Sequence, residues 1–541
     1  MDFLPNSVAK RKALLYRAIW ILAALALVFV GIVAAVARHI EPIARMRVIA
    51  VLESNFDSEV ELRGLHISLG SAITVTGDGL VLRQRGRTNL PPLIEIAQFS
   101  ASLNWIGMVF DPSHIHQVHL QGLSIHIPPK NQRLPVTDPE KQPRIIPFLV
   151  DEVLSEDAQL ELLPGDPAKD AHVFLIHRVV MHGVGSGRSA AFEAQLTNAV
   201  PPGEIKAQGQ FGPWQIDDPG QTPLSANYSF ENADLSVFHG IAGVLSSTGK
   251  FGGVLQDIDV EGATTTPAFT LAFAGHPVEL ATAFSATVDG TNGNTILHPV
   301  IARFLNTTLL CTGSVVKATT GKGREIVLNV TTDRARLEDL LRLAVKAAQP
   351  IMTGAIRLTT KFDLPLSTGG GNVMDRLRLD GQFGVAGAEF DSPEIRDKLE
   401  SLSRHGQGKP NDEDAGSAVS QLKGNFVLRN GQLTFSNLFF AVTGATVQLS
   451  GTYGLKDEKL DFRGKLRLQA KLSQMTTGAK SFLLKPFDSF FRKSGKTELP
   501  IKITGTREQP SFKLDLGGKD NDKAQSLNHL GINAEILTGT L

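Results

Sequence analysis

Apolar residues recur at every second position along much of this chain, a period that suits strands and excludes a helical core as the main architecture. In 460–469, Leu460, Phe462, Gly464, Leu466 and Leu468 share one phase, and Asp461, Arg463, Lys465, Arg467 and Gln469 the other. Strand side chains alternate between faces, so this segment reads as a strand with one face in water. Upstream, Phe426 and Leu428 precede Asn430-Gly431, and Leu433 and Phe435 follow it. Asn-Gly accepts the positive φ of a type I′ turn, which predicts a β-hairpin. Near the start, Val60 and Leu62 share one phase and Leu65, Ile67 and Leu69 the other, so Gly64 is expected at a bulge that resets the register. A Gly-x-Phe/Tyr pattern recurs at Gly209-Phe211, Gly249-Phe251, Gly381-Phe383, Gly424-Phe426 and Gly451-Tyr453. Its irregular spacing suggests related β-units and fails the fixed-period test for a solenoid.

Helical signals are few. Asp333 to Ala348 puts Leu337, Leu340, Leu341, Ala344 and Val345 on one side; Ser392 to Arg404 starts with Ser392 as N-cap and Pro393 at the first helical position; Ser473 to Lys493 is interrupted at Pro486. These cannot cover every strand. An apolar sheet face must then close on itself, as in a sandwich or barrel, or hold an apolar ligand. Segments 128–143 and 405–417 read as loops.

Before the strands, Ala18 to Ala37 carries no charge and is long enough, at about 1.5 Å per residue, to cross a hydrocarbon core of roughly 30 Å. It reads as a transmembrane helix, with Ala35-Val36-Ala37 leaving signal-peptide cleavage as the other reading. Lys10, Arg11, Lys12 and Arg17 precede it, against Arg38, Arg45 and Arg47 after it, which favours a cytoplasmic N-terminus. Glu41 to Phe56, with Pro42 in its first turn, is expected as a helical stalk. The domain map is therefore 1–17 cytoplasmic, 18–37 transmembrane, 38–56 stalk, 57–331 an N-terminal and middle β-rich region, 332–516 a C-terminal region and 517–541 a flexible tail.

Lys plus Arg and Asp plus Glu both number 54, so no net field of either sign favours nucleic acid. Phe numbers 29 against 3 Tyr and 3 Trp, an aromatic inventory suited to a dry interior or an apolar groove. The single Cys311 excludes an intramolecular disulfide and reads as a small buried residue of a strand. Gly243 to Lys250 lacks the spacing of a phosphate loop, and Gly183 to Gly187 fits neither a nucleophile elbow nor a dinucleotide fingerprint. His114, His116, His119 and His126 cluster without an interleaved carboxylate and read as a solvated strand face rather than a metal site. Asp257 and Asp259 share a face and read as surface charge. No nucleophile and base arrangement stands out, so the chain is read as no enzyme, with no cofactor and no metal. Phe482, Phe487, Phe490 and Phe491, with Lys485, Arg492 and Lys493, form a basic amphipathic stretch that either lies on a lipid surface or plugs the end of a sheet.

The C-terminal third resembles the AsmA-like family of bacterial envelope proteins. The resemblance rests on Leu449-Ser-Gly451-Thr-Tyr453, Leu460-Asp-Phe-Arg463-Gly464, Lys485-Pro486-Phe487 with Phe490 to Lys493, and Leu499-Pro500 through Thr504-Gly505-Thr506 followed by Pro510, in that order. The N-terminal layout, with Val60 to Ile67 after one membrane helix and a stalk, is similar too. The resemblance implies a long twisted antiparallel sheet with an apolar groove and few helices. It also implies an inner-membrane protein with its bulk in the periplasm, acting in envelope biogenesis and moving phospholipid toward the outer membrane, without catalytic residues. Groove lining is expected from Phe426, Leu428, Leu433, Phe435, Phe462, Leu466 and Leu468, the same residues that would be ordinary core in a sandwich. The expected partner is membrane phospholipid. A second reading is a structural factor that influences outer-membrane protein targeting and assembly through exposed sheet edges, with envelope proteins as partners.

Overall fold

The computed structural model describes residues 41–515, apart from connecting stretches of which the longest are 104–113, 129–148, 413–420 and 476–484. The expected transmembrane helix Ala18–Ala37, most of the 128–143 loop and the tail 517–541 lie outside the described residues. Among the described residues no helix is long and apolar enough to cross a membrane. The chain is mainly β and forms two units, Met1–Glu231 with Gly252–Val254, and Asn232–Phe251 with Leu255–Leu541.

The first unit is built on β1 (Ser58–Leu69), β2 (Ile73–Gln84), β3 (Ile94–Leu103), β4 (His114–Ile127), β5 (Leu149–Leu162), β6 (His172–Gly185), β7 (Ala190–Thr197), β8 (Glu204–Phe211) and β9 (Pro223–Asp234), each beside its neighbour in sequence. Every adjacent pair is antiparallel, as expected, except β4 and β5, which run parallel. Parallel neighbours need a crossover of a dozen or more residues, and 128–148 is the long connection between strands of this unit.

The stretch expected as a stalk is helical over 41–50 and 52–53 and docks on this sheet. Ala44, Val48, Ile49 and Leu52 pack against Val60, Leu62, Leu80, Leu82 and Ile96. Its polar side chains serve the backbone of β1: Glu41 accepts from the Ile67 N–H at 3.1 Å, and the Arg45 Nε donates to the Leu62 carbonyl at 3.0 Å. Side-chain cover of this kind keeps a strand edge from pairing with another chain.

Gly64 does not reset the register of β1. Pairing with β2 keeps in step from Leu62↔Leu80 to Gly64↔Asp78, because β2 slips phase at the same level, where Gly79 has φ +63°. The slip continues across the sheet at the position between Ile96 and Gln98, at Gly122 (φ +62°) and at Asp157 (φ +51°), and ends in a register shift between Ile176 and Arg178. In an unbroken pleat a one-residue slip would send the later apolar residues to the opposite face. With the aligned crease, Leu62 and Leu65, Ile96 and Phe99, and Leu120 and Leu123 all stay in one cluster. A Cβ at Gly122 would meet that of Ala97 at 2.9 Å in a left-handed backbone, so Gly122→Val is expected to cost about 1–3 kcal/mol. Asp157→Gly relaxes the same backbone demand and is expected to cost nothing by thermal unfolding; equal losses from both changes would remove the crease argument.

The second unit continues with β10 (Ile241–Ala242), β11 (Val244–Val254), β12 (Asp257–Leu271), β13 (Val278–Val288), β14 (Thr295–Phe304), β15 (Thr307–Lys317), β16 (Arg324–Arg336), β17 (Met352–Leu364), β18 (Arg378–Phe390) and β19 (Gln421–Arg429). It ends with β20 (Gln432–Val442), β21 (Ala445–Gly454), β22 (Lys459–Leu468), β23 (Arg492–Lys493), β24 (Lys496–Thr506) and β25 (Pro510–Leu514). From β12 to β22 sequential strands pair antiparallel; β24 then pairs with β22, β23 and β25. The expected hairpin between β19 and β20 is present, with Asn430 at φ +52° and Gly431 at φ +71° in the primed-turn region.

Two helix expectations change. β16 runs on to Arg336, so the helix expected from Asp333 is only Leu337–Ala344, started where the edge meets Asp339. Asp339 is buried and accepts from the Asn306 N–H at 2.9 Å and the Thr307 hydroxyl at 2.8 Å, while Glu338 accepts from the Gly354 N–H at 3.1 Å. These bonds to β17 and to the β14–β15 turn terminate the strand geometry and fix the helix. In place of a helix through Ser473 to Lys493, the described residues there form a 3-10 turn at Leu472–Met475, a short helix at Asp488–Phe491 and the strand β23. The cause is local: Asp488 accepts from the Ser473 N–H and hydroxyl at 2.8 and 2.6 Å, folding the segment back on itself. The helix expected from Ser392 is Pro393–Gln407, with Ser392 itself outside the described residues.

Candidate functional site

The site is the apolar face of β16 to β25, and its geometry follows from cross-strand register. One row runs Leu328–Phe362–Leu379–Leu428–Leu433–Tyr453–Leu460. Beside it, another runs Val330–Thr360–Gly381–Phe426–Phe435–Gly451–Phe462–Ile503–Phe512. A row nearer the other ends of the strands, Ile356–Val385–Leu422–Phe440–Val447–Leu466–Leu499, sits under helices.

The recurrent Gly-x-Phe pattern acquires a physical meaning in these rows. Gly381 lies opposite Phe426 and Gly424 opposite Phe383, so two such motifs on neighbouring antiparallel strands place each ring beside a position without a side chain. Gly451 likewise stands between Phe435 and Phe462. Aromatic side chains next to strand glycines cover exposed backbone and keep the face low. Ring centroids lie 6.2 Å apart for Phe383–Phe426 and 5.9 Å for Phe435–Phe462, within the range of favourable tilted pairs. A Cβ on Gly451 would fall 2.1 Å from the Asp461 carbonyl oxygen, so the close approach is built into the backbone as well.

The seven expected lining residues divide. Leu466 and Leu468 belong to a closed core with Leu402, Leu472, Met475, Phe491 and Leu499, under the helix Pro393–Gln407, and they leave the expected lining. Leu428 and Phe462 share the face but are buried by their neighbours, whereas Phe426, Leu433 and Phe435 remain partly exposed. Partly exposed Phe362, Leu379, Tyr453, Ile503 and Phe512 join them, while Phe383 packs against the closed core. These additions carried the same period-two signal, yet only the register shows that they share rows. An open depression of about 450 Å³ at the hairpin end is lined by Arg429, Gln432, Thr434, Lys456 and Asp457 on the polar side, a lining unsuited to acyl chains.

The basic amphipathic stretch is dispersed. Phe482 and Phe487 lie outside the described residues; Phe491 is buried in the core; Lys485, Arg492 and Lys493 are exposed, and Phe490 falls in the short helix. Lys493 approaches Glu498 at 4.0 Å, and the Glu498 carboxyl is held below the ordinary range by hydrogen bonds from Lys465 and Arg467.

Elsewhere, the histidines of β4 meet carboxylates that only the parallel neighbour β5 supplies. Asp151 binds His114 and His116 at 2.7 and 3.1 Å, which lowers its pKa, and His119 reaches Glu156 at 3.2 Å. Among the described residues no cluster is arranged to hold a metal ion. Asp259 accepts from the Thr287 hydroxyl at 3.0 Å. Gly243 to Lys250 runs into strand β11, and Cys311 is a half-buried residue of β15 whose thiol is pushed up by burial.

Fold and face together define a class: a mainly β protein whose second unit carries an apolar sheet face, covered by helices at one end of its strands and partly exposed toward the other. Compared with known protein families and with curated proteins, the chain matches none.

Proposed function

We propose that this chain binds phospholipid by its acyl chains along the apolar rows of β16 to β25, and that it works as a membrane-anchored envelope protein passing lipid between an inner and an outer membrane. The observation that carries the reading is the double row around the partly exposed Phe426, Leu433 and Phe435, which crosses adjacent strands past the buried Leu428 and Phe462 and lies outside the helix-covered core. Each acyl methylene removed from water there contributes about 0.8 kcal/mol, so a lipid tail binds without a specific polar partner. The uncharged Ala18 to Ala37 segment supplies the anchor, and the AsmA-like resemblance supplies the inner-membrane and periplasmic setting.

The test uses the full chain with phospholipid carrying a photoactivatable group in its acyl chain, followed by peptide mapping. Adducts are expected on β18 to β22 around Phe426 and Phe435, reduced at least about tenfold in Phe435→Asp. Adducts confined to the N-terminal segment would overturn lipid carriage and leave the assembly-factor reading in its place.

A further inference from the structure

The reverse side of β22 to β25 is basic, and its charges are arranged against the stability of the sheet. Arg463 on β22 stands directly opposite Lys502 on β24, which stands opposite Lys513 on β25. Like charges at directly paired positions destabilise a sheet. Among the described residues no carboxylate lies within ion-pair distance of these three. Beside this row, Lys465, Arg467 and Lys493 approach one carboxylate, Glu498, at 2.9, 2.9 and 4.0 Å. Six cations thus share one pleated surface with three acids, Glu498, Asp461 and Asp515.

The geometry points to an anionic phospholipid bilayer surface as the partner of this polar face. Neutral overall charge makes the local excess a placed feature rather than a consequence of composition. The cations stand on hydrogen-bonded strands, so they form an array whose backbone positions are fixed by register. Such an array meets many headgroup phosphates of a membrane surface at once, whereas an acidic protein would have to offer carboxylates at matching spacing. Arg and Lys also suit this surface, since their aliphatic stems tolerate the boundary while their heads stay with phosphate. Docking here concerns charged headgroups and the polar side, so it stands or falls separately from acyl-chain binding on the other side.

The full chain, held in zwitterionic nanodiscs, is mixed with separate vesicles containing either zwitterionic lipid alone or a fraction of phosphatidylglycerol, and vesicle capture is read by flotation. Capture of the anionic vesicles alone is expected, weakening as salt is raised. The triple change Arg463→Gln, Lys502→Gln, Lys513→Gln is expected to lower capture on the order of a hundredfold, at about fivefold per cation. Arg463→Glu guards against misfolding as an explanation: it places an acid opposite Lys502, so its unfolding temperature should rise while capture falls. Equal capture of both vesicle types, or capture unchanged in these variants, would overturn the proposal. Failure to capture anionic vesicles with retention of polyglutamate by the unaltered chain only would also overturn it, in favour of an acidic protein partner.

Discussion

Leu468→Ala is expected to destabilise the C-terminal sheet by about 2–5 kcal/mol, while Leu433→Ala, two strands away on the same face, costs less than about 1 kcal/mol. Leu468 has no exposed surface and is surrounded by Ala470, Leu472, Met475 and Leu499, which cannot collapse into the space it leaves because the 3-10 turn and β24 hold them. Leu433 is only partly buried, so its truncation removes less buried apolar surface. Chemical denaturation of both variants measures the difference. Similar losses at the two positions would mean that the whole face is closed core, and the lipid reading would lose its surface. If Leu433→Ala instead leaves stability intact and weakens photolabelling, the division between core and lining holds.

Asp339→Ala is expected to cost about 2–4 kcal/mol and to loosen the end of the sheet at β14 to β17. The carboxylate is buried and serves two donors, the Asn306 N–H and the Thr307 hydroxyl, and the same hydroxyl accepts from the Arg336 N–H at 3.0 Å. Removing the carboxylate leaves the Asn306 N–H and the buried Thr307 hydroxyl without this acceptor, a larger penalty than losing one surface ion pair. Hydrogen exchange locates the effect: faster exchange at Asn306, Thr307 and the first turn of Leu337–Ala344, with β19 to β22 unchanged, is the expected pattern. An Asp339→Asn variant retains one acceptor oxygen and should fall between the two. Wild-type stability in Asp339→Ala would show that this helix is not fastened through its carboxylate.

How far the sequence reaches is clearest at particular residues. Alternation from Leu460 to Leu468 and the Asn430-Gly431 turn were readable because strand period and primed-turn backbone are properties of a few adjacent residues. The phase change at Gly64 was readable as well, but its consequence was not, since a slip on one strand becomes a crease only when Gly79, Gly122 and Asp157 meet it at one level. The helix expected from Asp333 failed for a similar reason. β16 already pairs with β17 through Arg336 and Ala355, and that long-range ladder overrides a local helical pattern.

Local chemistry therefore determined the class of fold, the turns, the uncharged N-terminal segment and the list of apolar side chains from which any lining had to come. Tertiary structure alone decided which of them form core and which face water, that β4 and β5 run parallel and bring histidines to carboxylates, and that Arg463, Lys502 and Lys513 stand in one row. The physical reason is register: alternation fixes the face on which each side chain lies along its own strand, but the neighbour it meets depends on backbone hydrogen bonds between strands distant in sequence.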